Sequence, residues 1–585
     1  MNRPKRALIP MQQPFESILA QRLQQALLRT FPATLPEGFT ACVEPATDSR
    51  FGDYQTNAAM LLARPLRKNP RLIAEEILRN LESSDLSEQP EIAGAGFINF
   101  RIHPEALGKK LLYMLGDTRL GTPKCEEPLR IVIDFSSPNV AKPMHIGHIR
   151  STLIGDALGR IARFIGHTVI LDNHIGDWGT QFGMVIYGLR HYVDREALQR
   201  EPMMEIVRVY KKVNQHCKED DGVLKSCREE LVKLQQGDGE NLALWRESVE
   251  LSKKAFHEIY RQLDIHFDYE LGESFYNDQL QPLVDRLMKS GLAEVSQGAA
   301  CIFFRDIPGL AETPCIIRKG DGGFNYATTD LATLEYRHRE WKADAIWYVV
   351  GAPQKLHFEQ VFAAARRMGL SAELKHIAFG NILNEDRKLM KTRSGDHVLL
   401  QDVLSEAIAR AKKVIEEKKP DLSEEEQRSA AEIIGIGSIK YFDLSQSRVS
   451  DYVFSWDKML ALNGNTAPYL CYVYVRIRSI FRKAQDLAPN PAGPVILAEK
   501  EERALALKLA QFSETVPVVL VEHRPNVLAG YLYELARTFH AFFEACPVLK
   551  SEGDTQNSRL ILCRLTADVL KKGLELLGIR VPERM

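Results

Sequence analysis

The chain has 585 residues, and at roughly 150 residues per domain this length predicts three or four domains. Hydrophobic residues make up 45% of it and charged residues 26%, which is typical of a folded globular protein and excludes a disordered chain or a collagen-like rod. No run of about 18 apolar residues is present and the basic start is interrupted by proline, so we expect neither a membrane span nor a secretory signal. Nine cysteines without a C-x-x-C pair predict reduced thiols in a cytoplasmic protein without structural zinc. Because the net charge is −1, any nucleic-acid partner has to be bound by local basic patches.

Residues 1–125 predict a small α+β domain at the start of the chain. Apolar residues recur at helical spacing over 15–31 and again over 74–81, and the alternating segment 96–102 is typical of a short strand. The polar stretch 116–128 then marks a boundary.

Residues 126–404 have the pattern of a parallel sheet with crossover helices. Segment 129–173 is a strand, an amphipathic helix and a second strand, and a similar half follows over 345–383. An insertion at about 190–300 separates the halves, and its charged part is typical of solvated helices. The sequence therefore predicts a doubly wound, Rossmann-like nucleotide-binding core.

Residues 405–585 show helical periodicity in successive segments that Pro, Gly and Asn separate. This predicts a C-terminal helical bundle. The expected fold class is thus multidomain α/β followed by an all-α part.

The strongest chemical signal is SSPNVAKPMHIGHIRST, residues 136–152, which lies where a strand ends and a helix begins. His145 and His148 stand at the helix entry, where unpaired N–H groups and the helix dipole favour anions. Gly147 lets a flat base approach the backbone, and Lys142 is a cation within reach of the same phosphates. The two imidazoles could instead be helix caps or part of a solvated turn.

A second cluster is RKLMKTRSG, residues 387–395, in which Arg387, Lys388, Lys391 and Arg393 crowd a turn of small residues. Several cations in such a loop suit the stabilisation of pyrophosphate as negative charge moves onto it. An ordinary exposed basic loop is the alternative.

Together these motifs resemble the two signatures of class I aminoacyl-tRNA synthetases, in the form used by arginyl-tRNA synthetases. Lys388 and Lys391 take the lysine places of the second signature, K-M-S-K-S, whose other letters differ here. Arginyl enzymes commonly depart from that signature and carry a lysine before H-x-G-H, as Lys142 does here. The resemblance implies that the catalytic groups are His145, His148, Lys142, Lys388 and Lys391. It implies ATP contacts by His145, Gly147, His148, Gly351, His357, Lys388 and Lys391.

A guanidinium substrate is planar and always charged, so its pocket should offer carboxylates and an aromatic or amide wall. Glu273, Tyr326, Asp330 and Gln354 are candidates, and Tyr326 and Asp330 share a face if their segment opens a helix. Asn139 is the candidate for the α-amino group. The family match of GDWGTQ adds His174, Asp177 and Gln181 to the pocket floor. Singly, Asp330 or Asp177 could be a helix cap and Tyr326 a core residue.

Contacts with tRNA are expected at both ends of the chain. Tyr472 and Arg476 lie in a helix that resembles the anticodon-binding domain of arginyl enzymes, where aromatic and Arg side chains stack on unpaired bases. Arg67 and Lys68 belong to a basic patch of a segment that resembles the N-terminal extension contacting the tRNA elbow. A tyrosine stripe in a helix is otherwise more often core.

The resemblance implies an arginine–tRNA ligase that forms arginyl-adenylate from L-arginine and ATP and transfers the arginyl group to the terminal ribose of tRNA(Arg). Mg²⁺ is expected to accompany ATP. We expect a monomer in the cytoplasm. A different class I synthetase or a small-molecule adenylyltransferase would share H-x-G-H without the two acids, and a synthetase-like RNA-binding or regulatory protein would lack the catalytic residues.

Overall fold

The computed structural model describes residues 11–391, 398–418, 422–484 and 489–585. The chain divides into two units, which we describe separately. The central unit contains Glu126–Leu460 and Leu577–Ile579. The flanking unit contains the chain up to Cys125 together with Ala461–Leu576 and Arg580–Met585.

The flanking unit begins with a four-stranded antiparallel sheet in the order β1-β2-β4-β3, covered by amphipathic helices. The strands are β1 (Glu44–Pro45), β2 (Tyr54–Thr56), β3 (Glu91–Ala93) and β4 (Phe97–Phe100). The helices are α1 (Phe15–Thr30), α2 (Ala58–Leu66), α3 (Pro70–Arg79) and α4 (Pro104–Leu115). Helix α1 buries Leu19, Leu23 and Leu27, which follow the spacing read from the sequence.

The central unit is built on a four-stranded parallel sheet in the order β11-β10-β5-β6. Its strands, with those of two smaller sheets, are β5 (Arg130–Asp134), β6 (Thr168–Asp172), β7 (Glu294–Ser296), β8 (Ala299–Ile302), β9 (Cys315–Arg318), β10 (Ala345–Tyr348), β11 (Glu373–His376), β12 (Ile382–Leu383) and β13 (Tyr452–Val453). Every residue of β10 is buried, as the continuous apolar pattern of a sheet covered on both faces requires. The predicted doubly wound parallel sheet is confirmed.

Helices surround this sheet and form most of the insertion. They are α5 (Gly147–Ile165), α6 (Gln181–His191), α7 (Arg195–Arg200), α8 (Pro202–Glu219), α9 (Asp221–Gln235), α10 (Gly239–Gln262), α11 (Asn277–Lys289), α12 (Tyr326–Arg339), α13 (Lys355–Arg367), α14 (Leu400–Lys418), α15 (Glu424–Leu444) and α16 (Trp456–Met459). Side chains of Asp194, Asp220 and Asp238 accept backbone N–H groups at the starts of α7, α9 and α10.

Helix α6 packs against α8 and α9 with almost no space between the backbones. A Cβ on Gly183 would lie 2.2 Å from the carbonyl oxygen of Cys227, and one on Gly188 would lie 2.2 Å from a methyl carbon of Val209. Only glycine fits at these two positions.

The flanking unit ends in the helices α17 (Ala467–Lys483), α18 (Lys500–Ala510), α19 (Phe512–Glu522), α20 (Pro525–Ala545) and α21 (Gly553–Leu576). This confirms the predicted C-terminal helical part. Helix α14, which begins five residues before the predicted range 405–585, and helices α15 and α16, which lie within it, belong to the central unit.

One stretch of the described residues, Lys500–Glu522, has the length and mean hydropathy (1.5) of a membrane span. It forms the two helices α18 and α19, and 56% of its most apolar window is buried inside the protein. Such burial is usual for core helices, so the stretch is weak evidence for a membrane span.

Candidate active site

The candidate site lies at the carboxyl edge of the parallel sheet, where ligands bind in doubly wound folds. Asp134, Asp172 and Tyr348 are the last residues of the neighbouring strands β5, β6 and β10, and they stand opposite one another in the register. The loops that follow these strands contain most of the residues predicted from the sequence. Residues far apart in the chain therefore meet at one edge.

His145 and His148 pack together immediately before and within the start of α5. Their ring centroids are 4.0 Å apart. The N–H of Gly147 donates to Nδ1 of His145 at 3.1 Å, and the N–H of His145 donates to Nδ1 of His148 at 3.0 Å. Nδ1 of His148 also lies 3.2 Å from the carbonyl oxygen of His145. The rings thus bond to the backbone of the turn, as the capping alternative supposed.

The first motif is paired with the chain that follows the second. The N–H of Ile146 donates to the carbonyl of Val398 at 2.9 Å, and the N–H of Leu400 donates to that of Met144 at 3.0 Å. This antiparallel pairing lies where α5 and α14 both begin, so it fixes the starts of the two helices beside each other.

Lys388 and Lys391 are exposed at the start of the second motif, as is Lys142 in the first. The N–H of Lys388 donates to Oδ1 of Asn384 at 2.9 Å, and Arg387 takes a left-handed conformation (φ 58°) that forms the turn. Arg393 lies outside the described residues.

Four ionisable side chains converge on the pocket predicted to hold a guanidinium. Burial raises the pKa of Glu273 to about 7; the positive field of His174 opposes this, while the carboxylates of Asp330 and Asp177 add to it. Glu273 begins a 3₁₀ turn, Glu273–Tyr276. A cluster of carboxylates that repel one another is favourable for a cation such as guanidinium.

Asp177 holds the turn that carries Glu273. It accepts the N–H of Ser274 at 2.8 Å and the hydroxyl of Ser274 at 2.7 Å, and burial raises its pKa against these bonds. A Cβ on Gly272 would lie 2.4 Å from Asp177, so the turn can approach only through glycine. Asp177 does not cap α6, whose cap residue is Thr180. Nδ1 of His174 lies 2.9 Å from the carbonyl of Leu271 and ties the neighbouring loop to the same turn.

Asp330 lies one turn into α12 and is paired with a histidine. Nε2 of His357 is 2.5 Å from Oδ2 of Asp330. Burial lowers the pKa of His357, but the hydrogen bond and charge of Asp330 outweigh burial and raise it. Tyr326 stands at the first position of the same helix and is 73% exposed, so it is not a core residue.

The remaining candidates stand in the segments that follow strands β5, β6 and β10. Asn139 forms a parallel bridge with Gly176, and a Cβ on Gly176 would lie 2.4 Å from its Oδ1. Gln181 is the first residue of α6. Gly351 pairs with Phe379, and Gln354 is exposed at the end of a 3₁₀ turn before α13.

The tRNA candidates lie in the flanking unit. Arg67 is exposed at the end of α2, and Lys68 forms an ion pair with Glu76 at 2.8 Å. In α17, Tyr472 is 46% exposed, and the guanidinium carbon of Arg476 lies 4.3 Å from the ring centroid of Phe543. Tyr472 therefore has an accessible ring, and its neighbour in the stripe, Tyr474, is buried.

Sequence reasoning missed a buried ion cluster beneath the site. Arg337 of α12 is fully buried between Asp134 and Asp172. The available signal was an acidic residue at the end of each of two apolar strands, since a buried carboxylate requires a partner. No group of three or more His, Cys, Asp or Glu that could hold a metal ion occurs in the part of the chain that the structure describes.

The family model for the catalytic domain of class I (R) tRNA synthetases matches residues 110–456, which span the sheet and this edge. The fold is therefore that of a class I aminoacyl-tRNA synthetase. Models for the arginyl tRNA synthetase N-terminal domain and the DALR anticodon binding domain match residues 17–102 and 470–585.

Full-length relatives identify the branch. An arginine–tRNA ligase of Thermobifida fusca is 46% identical over 577 residues, which cover 97% of this chain and 99% of that protein. The structure of arginyl-tRNA synthetase from Plasmodium falciparum matches with a TM-score of 0.82 at 30% identity, covering 98% of this chain and 99% of that one. The Thermus thermophilus enzyme matches with a TM-score of 0.84 at 26% identity, covering 98% of this chain and all of that one (100%). This chain belongs to the arginyl-tRNA synthetase family, the enzymes that ligate arginine to tRNA with ATP.

Proposed function

We propose that the carboxyl edge of the central sheet carries out both steps of arginyl transfer. In the first step the carboxylate of L-arginine attacks the α-phosphorus of ATP, and pyrophosphate leaves. In the second, the terminal ribose hydroxyl of tRNA(Arg) attacks the arginyl carbonyl, and AMP leaves. The observation that carries this proposal is the acidic cluster of Glu273, Asp330 and Asp177 on the sheet edge that also carries His145 and His148.

The phosphates of ATP would lie against the start of α5. His145 and His148 would donate from Nε2 to phosphate oxygens, and Gly147 and Gly351 would leave space for the nucleotide. Lys142, Lys388 and Lys391 are exposed cations that would neutralise charge as it moves onto pyrophosphate. This catalysis relies on positioning and electrostatics and needs no covalent enzyme intermediate.

The guanidinium of arginine would enter between Glu273 and Asp330. A planar guanidinium can make paired, coplanar bonds to carboxylates, a geometry that the compact ammonium group of lysine lacks. Binding of the cation would favour ionised Glu273, whose pKa burial raises to about 7. In the structure His357 is paired with Asp330 at 2.5 Å. When arginine binds, His357 would release this carboxylate to the guanidinium and would then contact ATP.

The other polar groups would complete the arginine site. The side-chain oxygen of Asn139 would accept a hydrogen bond from the α-amino group of arginine. His174 and Asp177 would fix the turn at the bottom of the pocket through their contacts with Leu271 and Ser274. The rim residues expected to close the pocket are Gln181, Tyr326 and Gln354.

Mg²⁺ is expected to reach the site with ATP. The described residues contain no cluster of three metal-binding side chains. Mg²⁺ commonly keeps several waters and binds substrate phosphates, which fits such a site. The ion would supply charge neutralisation on the phosphates, and the roles given above to the protein residues do not depend on it.

The flanking unit would recognise tRNA(Arg). Tyr472 would stack on an unpaired anticodon base and Arg476 would contact its neighbourhood, while Arg67 and Lys68 would contact backbone phosphates of the elbow. In this scheme 1–125 is the elbow-contacting domain, 126–404 the catalytic domain and 405–585 the anticodon-binding domain. We expect the protein to act in protein biosynthesis as a cytoplasmic monomer.

The direct test is aminoacylation of total tRNA with each of the twenty amino acids in turn, using the full chain. We expect product with arginine alone, and only in the presence of ATP. Charging with a different amino acid, or release of adenylate without transfer to tRNA, would refute the proposal.

A further inference from the structure

A buried guanidinium connects three strands beneath the active-site edge. One nitrogen of Arg337, Nη2, lies 2.6 Å from Oδ2 of Asp134 and 2.7 Å from Oδ2 of Asp172. Its guanidinium carbon lies 5.3 Å from the ring centroid of Tyr348. Arg337 and Asp172 are 0% exposed and Asp134 is 3% exposed, so water cannot replace these contacts.

Each of these partners is the last residue before a loop of the site. Asp134 precedes the segment with His145, Asp172 precedes the segment with His174, and Tyr348 precedes the segment with Gln354. In the sheet register Tyr348 is opposite Asp134, and Asp134 is opposite Asp172. Arg337 therefore contacts the starting points of three loops at once.

Arg337 also belongs to the helix that supplies an acid of the pocket. Helix α12 begins at Tyr326 and carries Asp330 two turns before Arg337. Because Arg337 anchors α12 to the strand ends, its contacts fix the position of Asp330 relative to the edge of the sheet. On the opposite side, Oδ1 of Asp134 accepts the hydroxyl of Ser137 at 3.0 Å and so extends the network into the first motif.

The cluster has a second consequence for the choice of ligand. Asp134 and Asp172 together would attract a cation, and the buried guanidinium of Arg337 already occupies them. Burial raises the pKa of Asp172, and Arg337 is the chief group that opposes this. The acids left for an incoming guanidinium are consequently those of the pocket, Glu273 and Asp330.

We propose that Arg337 is a positioning residue of arginyl transfer, which aligns the ATP loop, the arginine loop and α12 by holding Asp134, Asp172 and Tyr348. This inference rests on the proposed roles of those loops. Arg337 touches no reacting atom in this scheme and acts through the residues that it aligns.

The test compares Arg337→Lys and Arg337→Ala with the unchanged full chain in steady-state aminoacylation, with activity expressed per active site titrated by the stoichiometry of ATP binding. A lysine keeps the charge but loses the guanidinium plane that lies beside the ring of Tyr348, so we expect per-site kcat to fall about tenfold and KM for arginine to rise. In Arg337→Ala we expect a loss of about a hundredfold, partly restored by added guanidinium and not by methylammonium. Guanidinium should not increase the activity of the unchanged chain.

A structural role alone would reduce the number of titrated sites and leave per-site kcat and KM as they are. That result, or the absence of guanidinium rescue, would overturn the proposal. If both Arg337 variants fail to fold, Asp134→Asn replaces them, because it keeps the Arg337–Asp172 pair; a per-site kcat and KM equal to those of the unchanged chain would then overturn it. Failure of the proposed function is distinguishable, since the unchanged chain would itself not charge tRNA with arginine.

Discussion

Asp330 is the most informative position at which to test the arginine pocket. Its side chain is 17% exposed and lies beside the partly buried Glu273, so little water can replace a lost bond to the substrate. Asp330→Asn keeps the size of the side chain and removes its charge. We expect the variant to bind arginine much more weakly and ATP normally.

The size of the effect follows from the geometry. A hydrogen bond to a charged group is worth about 1.5–3 kcal/mol, and about 1.4 kcal/mol corresponds to a tenfold change. Because Asp330 is mostly buried, the upper part of this range applies, while Glu273 still holds one side of the guanidinium. We therefore expect kcat/KM for arginine to fall about 30-fold to 150-fold.

The assay is tRNA-dependent aminoacylation with arginine and ATP varied separately. Glu340→Gln is a matched control, because it removes one negative charge from the exposed end of the same helix. We expect the control to behave as the unchanged chain. If Asp330→Asn keeps kcat/KM for arginine within about threefold, or raises KM for ATP equally, Asp330 does not bind the guanidinium.

Three further outcomes are expected. Because the pKa of Glu273 is raised to about 7, its carboxyl group is ionised above that pH and protonated below it. KM for arginine should therefore rise by up to about tenfold per unit as the pH falls below 7, and Glu273→Gln should lose that part of the dependence. In the flanking unit, both carboxylate oxygens of Asp53 accept hydrogen bonds from Arg503 at 2.5–2.9 Å in a nearly buried ion pair. Asp53→Asn should therefore lower the free energy of unfolding by about 3 kcal/mol in thermal melts, whereas Asp48→Asn, in an exposed ion pair, should leave it unchanged. Equal melting curves for the two variants would contradict this. The resemblance to arginyl enzymes, which generally need bound tRNA before they activate the amino acid, implies that pyrophosphate exchange with arginine and ATP is negligible until tRNA is added. Robust exchange without tRNA would contradict this expectation.

The sheet and most helices were predictable because their signals are local. Strand β10 is a continuous apolar run and α1 has a regular apolar stripe, so neighbouring residues suffice to predict both. The same local reasoning cannot separate Tyr472 from Tyr474, since the direction of each side chain depends on which face of α17 meets other helices. Resemblance supplied the candidate residues, and the structure supplied their contacts.

The pairings inside the site were not predictable from spacing. Ser274 bonds to Asp177 across 97 residues, and Arg337 bonds to Asp134 across 203. The order of the strands decides which residues meet, and a buried charge needs an oppositely charged or hydrogen-bonding partner only once the chain has folded. The pairing of His357 with Asp330 likewise depends on the meeting of α12 and α13.

The glycine contacts of α6 make the insertion inseparable from the catalytic framework. Gly183 and Gly188 leave the helix with bare backbone where Cys227 and Val209 meet it, two and seven residues after Gln181. Trimming the insertion would expose that groove to solvent, and grafting one from another synthetase would place foreign side chains against it. A workable chimera would have to exchange α6 through α10 as a single cassette.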